Sequence, residues 1–390
     1  MSQCRACGRR LTEVMSFGDV ALAGAFLSPG EIGEEKKYPL TLEMCESCWI
    51  VQTGQDVPGM FDHYHYFSSA TQTMREHFRQ CAAYLVERFK PKRCLEIGCN
   101  DGVLLKPIAE LGVKVVGVDP AANLTQDIGL EVVNEHWDGE VASMLGKFDL
   151  IVANNVFAHI PHINDALDGV RRALSGDGTF VVEVNRLDSM VMDGQYDWVY
   201  HEHCFYWSLP AFEKVLARNG LKIFDCQRLP THAGSIRYYI CKDGRSETRR
   251  VEQQRSTDMW AGVLGIDRMR RFADEAKAHS VAFRELVKQF KRVVGYGACG
   301  RTNTMLQYCD LSSEDIDYLI DDAPAKNGLY TPGTHIPIYR NGEKPLDESE
   351  ALIVFAWSFL HEILPKIGAY KGRLFIPLPA IYEHKTRVAA

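Results

Sequence analysis

The sequence has no long apolar run. Its apolar stretches, such as Ala351–Trp357, fall far short of the roughly 20 residues that cross a bilayer, so no transmembrane helix is expected. There is no excess of positive charge: 44 Lys and Arg stand against 51 Asp and Glu, for a formal net charge of −7. A nucleic-acid or anionic-membrane partner would need a localised basic patch, and none is visible. Internal repeats, low-complexity tracts and long runs of one charge are missing too. The N-terminus, Met1-Ser2-Gln3-Cys4-Arg5-Ala6-Cys7-Gly8-Arg9-Arg10, has no apolar core behind its charges. No secretory signal is read there, and the cytoplasm is the expected location. What is present is 390 residues, 46% hydrophobic and 24% charged, which is too long for one core and calls for two or three domains.

Twelve cysteines are unevenly spread. Cys4-x-x-Cys7 and Cys45-x-x-Cys48 are two tight pairs separated by 37 residues. In a reducing compartment such pairs are better metal ligands than disulfides, and two of them complete a closed tetrahedral zinc site. Redox dithiols and ordinary core cysteines are the alternatives. Four thiolates leave no open position for water, so the zinc is expected to be structural. The other eight cysteines lack this spacing and read as small buried thiols.

Residues 56–72 are crowded with aromatics and hydroxyls, including Tyr64, Tyr66, Ser68 and Ser69. An amphipathic helix is predicted from about Thr73 to Phe89, ended by Pro91. From Cys94 short apolar runs alternate with helical stretches, which argues for a parallel sheet covered by helices on both faces. Strands are predicted at Cys94–Ile97, Val113–Val118, Phe148–Ala153 and Thr179–Val184, with Leu221–Arg228 and Ser235–Cys241 extending the sheet. A charged helical connector runs from Glu247 to Phe290, broken near Gly262–Gly265. A second doubly wound unit starts at Arg292–Tyr296, which enters Gly295-Tyr-Gly297-Ala-Cys-Gly300. The divisions read from this are residues 1–72, 73–245 and 246–390.

The block Leu95-Glu96-Ile97-Gly98-Cys99-Asn100-Asp101-Gly102 ends a strand in a glycine turn, and Asp119-Pro120 closes the next strand. Gly98 and Asp119 are 21 positions apart. Backbone N–H groups of such a turn approach a ligand at the carboxyl edge, and the acid can accept from two ribose hydroxyls. The turn suits a nucleoside without phosphates. It resembles motif I and the ribose-binding acid of the class I methyltransferases, whose methyl donor is S-adenosylmethionine. Phe148 to Ile160, containing Asn154, Asn155 and His159, looks like that family's fourth strand, whose end lies beside the methionine part of the donor.

Tyr200-His201-Glu202-His203 supplies a phenol, two imidazoles and a carboxylate, the groups that general acid/base chemistry uses. O-methylation needs one base. Methylation of carbon beside a ketone also needs a donor for the enolate oxygen. The whole chain resembles the nucleotide-sugar C-3′-methyltransferases: a Cys-x-x-Cys zinc module, a Rossmann-like methyltransferase core, and a C-terminal Rossmann-like unit carrying Gly-Tyr-Gly-Ala. Met74-Arg75-Glu76-His77-Phe78, Gly234-Ser235-Ile236-Arg237 and the run from Asp321 to Thr334 belong to the resemblance. It implies an α/β fold and a nucleoside-diphosphate 4-keto-6-deoxyhexose substrate, with thymidine the commonest base and guanosine or cytidine open. A monomer suffices for this reading.

On the same resemblance His203 is the base, with Tyr200 and Glu202 placing it or holding the sugar, and His159 closes the sugar pocket with Tyr64 and Tyr66. Glu96, Gly98, Asn100, Gly102, Asp119, Pro120, Asn154 and Asn155 hold the methyl donor. Ser68, Ser69, Ser235, Arg237, Arg301 and Asn303 join Tyr64 and Tyr66 on the substrate. Relatives usually continue Gly-Tyr-Gly-Ala with a small residue, alanine and lysine. Here Cys299-Gly300-Arg301-Thr302-Asn303 stands instead, and Arg301 can take the lysine's place at the diphosphate. A nicotinamide site at this turn is disfavoured for want of a hydride-transfer site. An O- or N-methyltransferase and a non-catalytic zinc-containing scaffold are the rival readings.

Overall fold

Three sheets arise from three different sequence patterns. A computed structural model describes residues 2–385 except 55, 56, 58, 62–66, 243, 347 and 369. At the N-terminus, β1 (Thr12–Ala21), β2 (Lys37–Met44) and β3 (Val51–Thr53) pair antiparallel. Period-two burial is clearest in β2, where Leu40, Leu42 and Met44 turn inward. Removing each such side chain from water stabilises the fold by roughly 1.5–3 kcal/mol.

Helix α1 (Gln72–Phe89) buries Met74, Phe78, Cys81, Ala82 and Leu85, the apolar face predicted for it. The Met74 N–H donates to the Thr71 side chain at its start, and Lys90 ends it in left-handed conformation with φ 46°.

The central unit runs β4 (Arg93–Ile97), α2 (Leu105–Glu110), β5 (Lys114–Val118), α3 (Ala122–Thr125), β6 (Val132–Val133), α4 (Gly139–Leu145) and β7 (Phe148–Asn154). It continues through α5 (Ile163–Ala173), β8 (Leu174–Asn185), α6 (Leu187–Met192), β9 (Phe205–Tyr206), α7 (Leu209–Arg218), β10 (Lys222–Leu229) and β11 (Ser235–Cys241). Its seven-stranded sheet has the order β10-β11-β8-β7-β4-β5-β6, parallel except for β11. The order reverses at β4, and a ligand crevice is expected at the carboxyl ends beside such a reversal.

Helices α8 (Arg249–Ala261) and α9 (Ile266–Val287) form the connector, broken at Gly262 as expected. Then come β12 (Val293–Tyr296), α10 (Gly300–Tyr308), β13 (Tyr318–Asp321), β14 (Ile338–Arg340), β15 (Ala351–Val354), α11 (Leu360–Ile367), β16 (Arg373–Ile376) and β17 (Tyr382–His384). Their order is β14-β13-β12-β15-β16-β17, again reversing at the first strand of the unit. Among the described residues, no helix is long and apolar enough to cross a membrane.

One pairing lies outside every prediction. Strand β9, just after the Tyr-His-Glu-His segment, leaves the central unit and completes the N-terminal sheet, with Val51 opposite Tyr206 and Gln52 opposite Phe205. The N-terminal residues also divide between two cores. Cys4, Cys45, Cys48 and Ile50 pack with the central sheet, whereas Leu40, Leu42 and Met44 pack with side chains of α9, α10 and β12.

Candidate active site

The four N-terminal cysteines converge. Their sulfurs all lie within 4.8 Å of one another, with Cys4 Sγ 3.5 Å from Cys48 Sγ and Cys7 Sγ 3.5 Å from Cys45 Sγ. Sulfurs about 2.3 Å from one tetrahedral zinc would be about 3.8 Å apart, so the set fits that ion. The two turns repeat one design. The Cys4 N–H donates to the Arg9 carbonyl oxygen and the Gly8 N–H to that of Cys4, both at 2.8 Å. The Cys45 and Trp49 N–H groups repeat the pattern on Ile50 and Cys45, and Gly8 and Trp49 share a positive φ of 70° and 65°. Zinc bound there would stiffen the end of the sheet that β9 completes.

At the carboxyl edge of the central sheet, Glu96 lies near the end of β4 and Gly98 just after it, Asp119 and Pro120 come after β5, and Asn154 ends β7 with Asn155 next. Gly98 has φ 69°, and a Cβ there would meet Val156 at 2.3 Å, so glycine is required. Gly102, at φ 76°, packs on Ile128. Each oxygen of the Asp119 carboxylate accepts one backbone N–H at 2.9 Å, from Asn100 and from Ala121, which fixes the group and leaves lone pairs for a diol. Among the described residues, both amide atoms of Asn154 and Glu96 Oε2 are buried without a hydrogen-bond partner. Buried polar atoms are rarely left so, and the amino-acid and ribose parts of S-adenosylmethionine carry the groups that would satisfy them. Burial first, then Asp119 and Asp101, pushes the Glu96 carboxyl well above its usual range.

Beyond the end of β7 stand the groups of Tyr-His-Glu-His. His203 is buried, stacked on Trp198 with centroids 5.4 Å apart, and its ring has a backbone hydrogen bond to Trp198. With the ring N–H spent on that carbonyl, the Tyr200 hydroxyl donates to Nε2 at 3.0 Å. Burial, reinforced by His159, Arg301 and His232, holds His203 far below the usual imidazole range. His159 faces it with centroids 4.8 Å apart and donates from Nδ1 to the Glu202 carbonyl oxygen at 2.7 Å; burial lowers its pKa to about 4. Both imidazoles are therefore neutral near pH 7. The Glu202 carboxylate lies against Gly24, where a Cβ would come within 2.8 Å of its oxygen. His201 packs edge-on against Tyr38, away from this group.

The residues expected at the substrate fare differently. Tyr64 and Tyr66 lie outside the described residues. The Ser68 and Ser69 N–H groups donate to Asn100 Oδ1 at 3.0 Å and Asp101 Oδ2 at 3.1 Å, which ties that segment to the glycine turn after β4. Arg237 is engaged inside the protein by Glu183, at 2.7 Å, because a fully buried carboxylate needs a cation. His77 Nε2 adds a second partner to Glu183 at 2.9 Å. Ser235 is buried and donates to the Thr231 carbonyl oxygen, and Asn303 is buried and donates to that of Ala23. Arg301 keeps a position near His203, held by Asp197 at 2.6 Å and lying between the rings of Trp198 (4.4 Å) and Trp357 (4.6 Å). Sequence reasoning missed Asp197, Trp198, His232 and Trp357. The aromatic run Tyr196-Asp197-Trp198 before Tyr200 was the available signal.

Three protein-family descriptions match in order along the chain: "Putative zinc binding domain" over residues 4–59, "Methyltransferase domain" over 65–225 and "C-methyltransferase C-terminal domain" over 230–379. C-methyltransferase NovU of Streptomyces niveus is 30% identical over 97% of this chain and 96% of its own length. A ubiquinone biosynthesis O-methyltransferase of Roseobacter denitrificans is 34% identical, but over only 24% of this chain and 40% of its own. The S-adenosylmethionine-bound magnesium protoporphyrin IX methyltransferase of Synechocystis PCC 6803 superposes on 43% of this chain and 79% of its own, at 16% identity and a TM-score of 0.34.

Proposed function

The chain belongs to the S-adenosylmethionine-dependent C-methyltransferases that carry an N-terminal zinc module, and from that premise we propose that it methylates C-3′ of a nucleotide-linked 4-keto-6-deoxy sugar. The observation that carries the reading is the pair Tyr200 and His203, a neutral imidazole with a phenol on its Nε2 at 3.0 Å, beside the edge where the methyl donor binds. S-adenosylmethionine, when bound, supplies an electrophilic methyl group on sulfur. Glu96, Asn100, Asp119 and Asn154 would hold it, with Gly98, Gly102, Pro120 and Asn155 shaping the turns.

A hydrogen on carbon beside a ketone is acidic enough for imidazole only if the enolate oxygen is hydrogen-bonded as charge develops. When Tyr200 turns its hydroxyl from Nε2 to the 4-keto oxygen, it becomes such a donor and frees the His203 lone pair. The C-3′–H bond then breaks with its proton going to Nε2, and its electrons pass into the enolate. Those electrons would then take the methyl group that the bound donor supplies, with the pair of the broken S–CH₃ bond staying on sulfur. His203 finally loses its proton to solvent. Holding both reactants aligned supplies much of the acceleration. Arg301 is the cation for the anionic part of the substrate, and Glu202 and His159 flank the sugar.

The test is incubation with thymidine, guanosine and cytidine diphosphate 4-keto-6-deoxy sugars plus methyl donor. A mass gain of one methyl group located at C-3′ by NMR is expected for one of them. Reaction with none, or methylation of the 4-hydroxy sugar on oxygen, sinks the reading.

A further inference from the structure

The turn Thr231-His232-Ala233-Gly234, between β10 and β11, adopts a costly backbone. His232 and Ala233 have φ 52° and 62°, with Gly234 next at 124°. Left-handed geometry costs a non-glycine residue of order 1–3 kcal/mol and persists only where the surroundings enforce it. Here they do. Ser189 Oγ and Gln195 Nε2 both donate to the Ala233 carbonyl oxygen at 3.1 Å. Asn185 Nδ2 reaches the carbonyl oxygens of His232 and Gly234 at 3.4 Å, and Ser235 Oγ reaches that of Thr231 at 3.0 Å. A Cβ on Gly234 would lie 2.5 Å from Ser189 Oγ.

All of this fixes one imidazole. His232 stands edge-on to Trp198, with centroids 6.1 Å apart and planes at 88°, while the face of the same indole carries His203. Protein surrounds it, yet it keeps some access to solvent. Among the described residues its ring nitrogens make no hydrogen bond. Burial, aided by Arg301 and His77 against the pull of Glu183, lowers its pKa to about 4.

We propose that His232 is a catalytic residue that donates a hydrogen bond from its ring N–H to the C-4′ oxygen as the enolate forms, the second donor beside Tyr200. The inference rests on the C-3′-methylation reading. A neutral imidazole suits the task, because an imidazolium in the same place would carry an acidic proton able to quench the carbanion. One donor aimed at a developing oxyanion contributes about 10²–10³ in rate.

Two variants and two reactions test it. His232→Asn keeps a residue tolerant of the left-handed backbone, but its amide N–H reaches no farther than Nδ1, so a donor at Nε2 is lost, whereas His232→Gln carries an amide N–H out to about the Nε2 position. The reactions are methyl transfer, and uptake of solvent deuterium at C-3′ with S-adenosylhomocysteine in place of the methyl donor. In His232→Asn both should fall together by about 10²–10³, with S-adenosylmethionine affinity unchanged by calorimetry and partial recovery in His232→Gln. Deuterium uptake at the wild-type rate in His232→Asn overturns the role. So does loss of S-adenosylmethionine binding in both variants, which would mark the turn as structural. Failure of the unaltered protein to exchange C-3′ in any 4-keto sugar overturns the reading underneath, and this inference with it.

Discussion

His203 is kept neutral by its surroundings, and neutrality is what a proton acceptor needs. Its pKa is lowered, so the protonation that disables it lies well below pH 6.5. A pH profile of kcat/KM for methyl transfer should be flat from pH 8 down through 6.5 and fall only at lower pH; an acid limb centred at 6.5 or above would contradict this. His203→Asn should lower turnover by about 10²–10⁴ and leave S-adenosylmethionine affinity nearly unchanged, as calorimetry would show. Arg237 is bound to the buried Glu183. Arg237→Met leaves the buried Glu183 carboxylate with only His77 and the Thr231 hydroxyl, so urea unfolding should show a loss of about 3–5 kcal/mol. The cysteine pairs and Tyr-His-Glu-His were legible in the sequence because their spacing is local. The roles of Arg237 and Asn303 were not, because their partners stand 54 and 280 positions away.

Among elements, those with an unbroken period were legible. Helix α1 and strands β4, β5, β7, β10 and β11 matched their predicted spans closely, since burial on one face, or on both, leaves a simple pattern. Strand β1 was not predicted. Its pairing with β2 slips between Glu13 and Met15 and again between Ser16 and Asp19, so the alternation that marks a strand loses step. Strand β9 is two residues long and gains meaning only from its partner. That partner matters for the chemistry. In β3, Thr53 Oγ1 donates to the His203 carbonyl oxygen at 3.0 Å, and the Thr53 N–H donates to that of Cys204 at 3.1 Å. Thr53→Val keeps the shape but leaves the buried His203 carbonyl short of a donor, a cost of about 1–3 kcal/mol. Methyl transfer should fall in that variant while S-adenosylmethionine affinity holds; equal loss of both would show that β3 steadies the cofactor edge as well.

At the scale of the whole molecule, the described N-terminal residues have no core to themselves. Some pack on the central sheet and others on the C-terminal unit, with Leu27 bonded to Tyr330 and Ala21 to Gln307. Such a segment depends on zinc and on both neighbours. Residues 1–59 alone, even with zinc, should therefore show no cooperative melt by circular dichroism, whereas the entire chain should. Zinc removal from the entire chain should depress methyl transfer more than cofactor binding. The pairing of β3 with β9 also sets an order of events during synthesis. The first sheet to leave the ribosome lacks its last strand until residue 206 has emerged, about 8–30 s later at ordinary elongation rates. Until then β3 is an open edge, and the backbone that carries His203 has no template. The strand that closes the nascent edge is thus the one just past His203, so the proposed base gains its backbone support only once most of the methyltransferase sheet already exists.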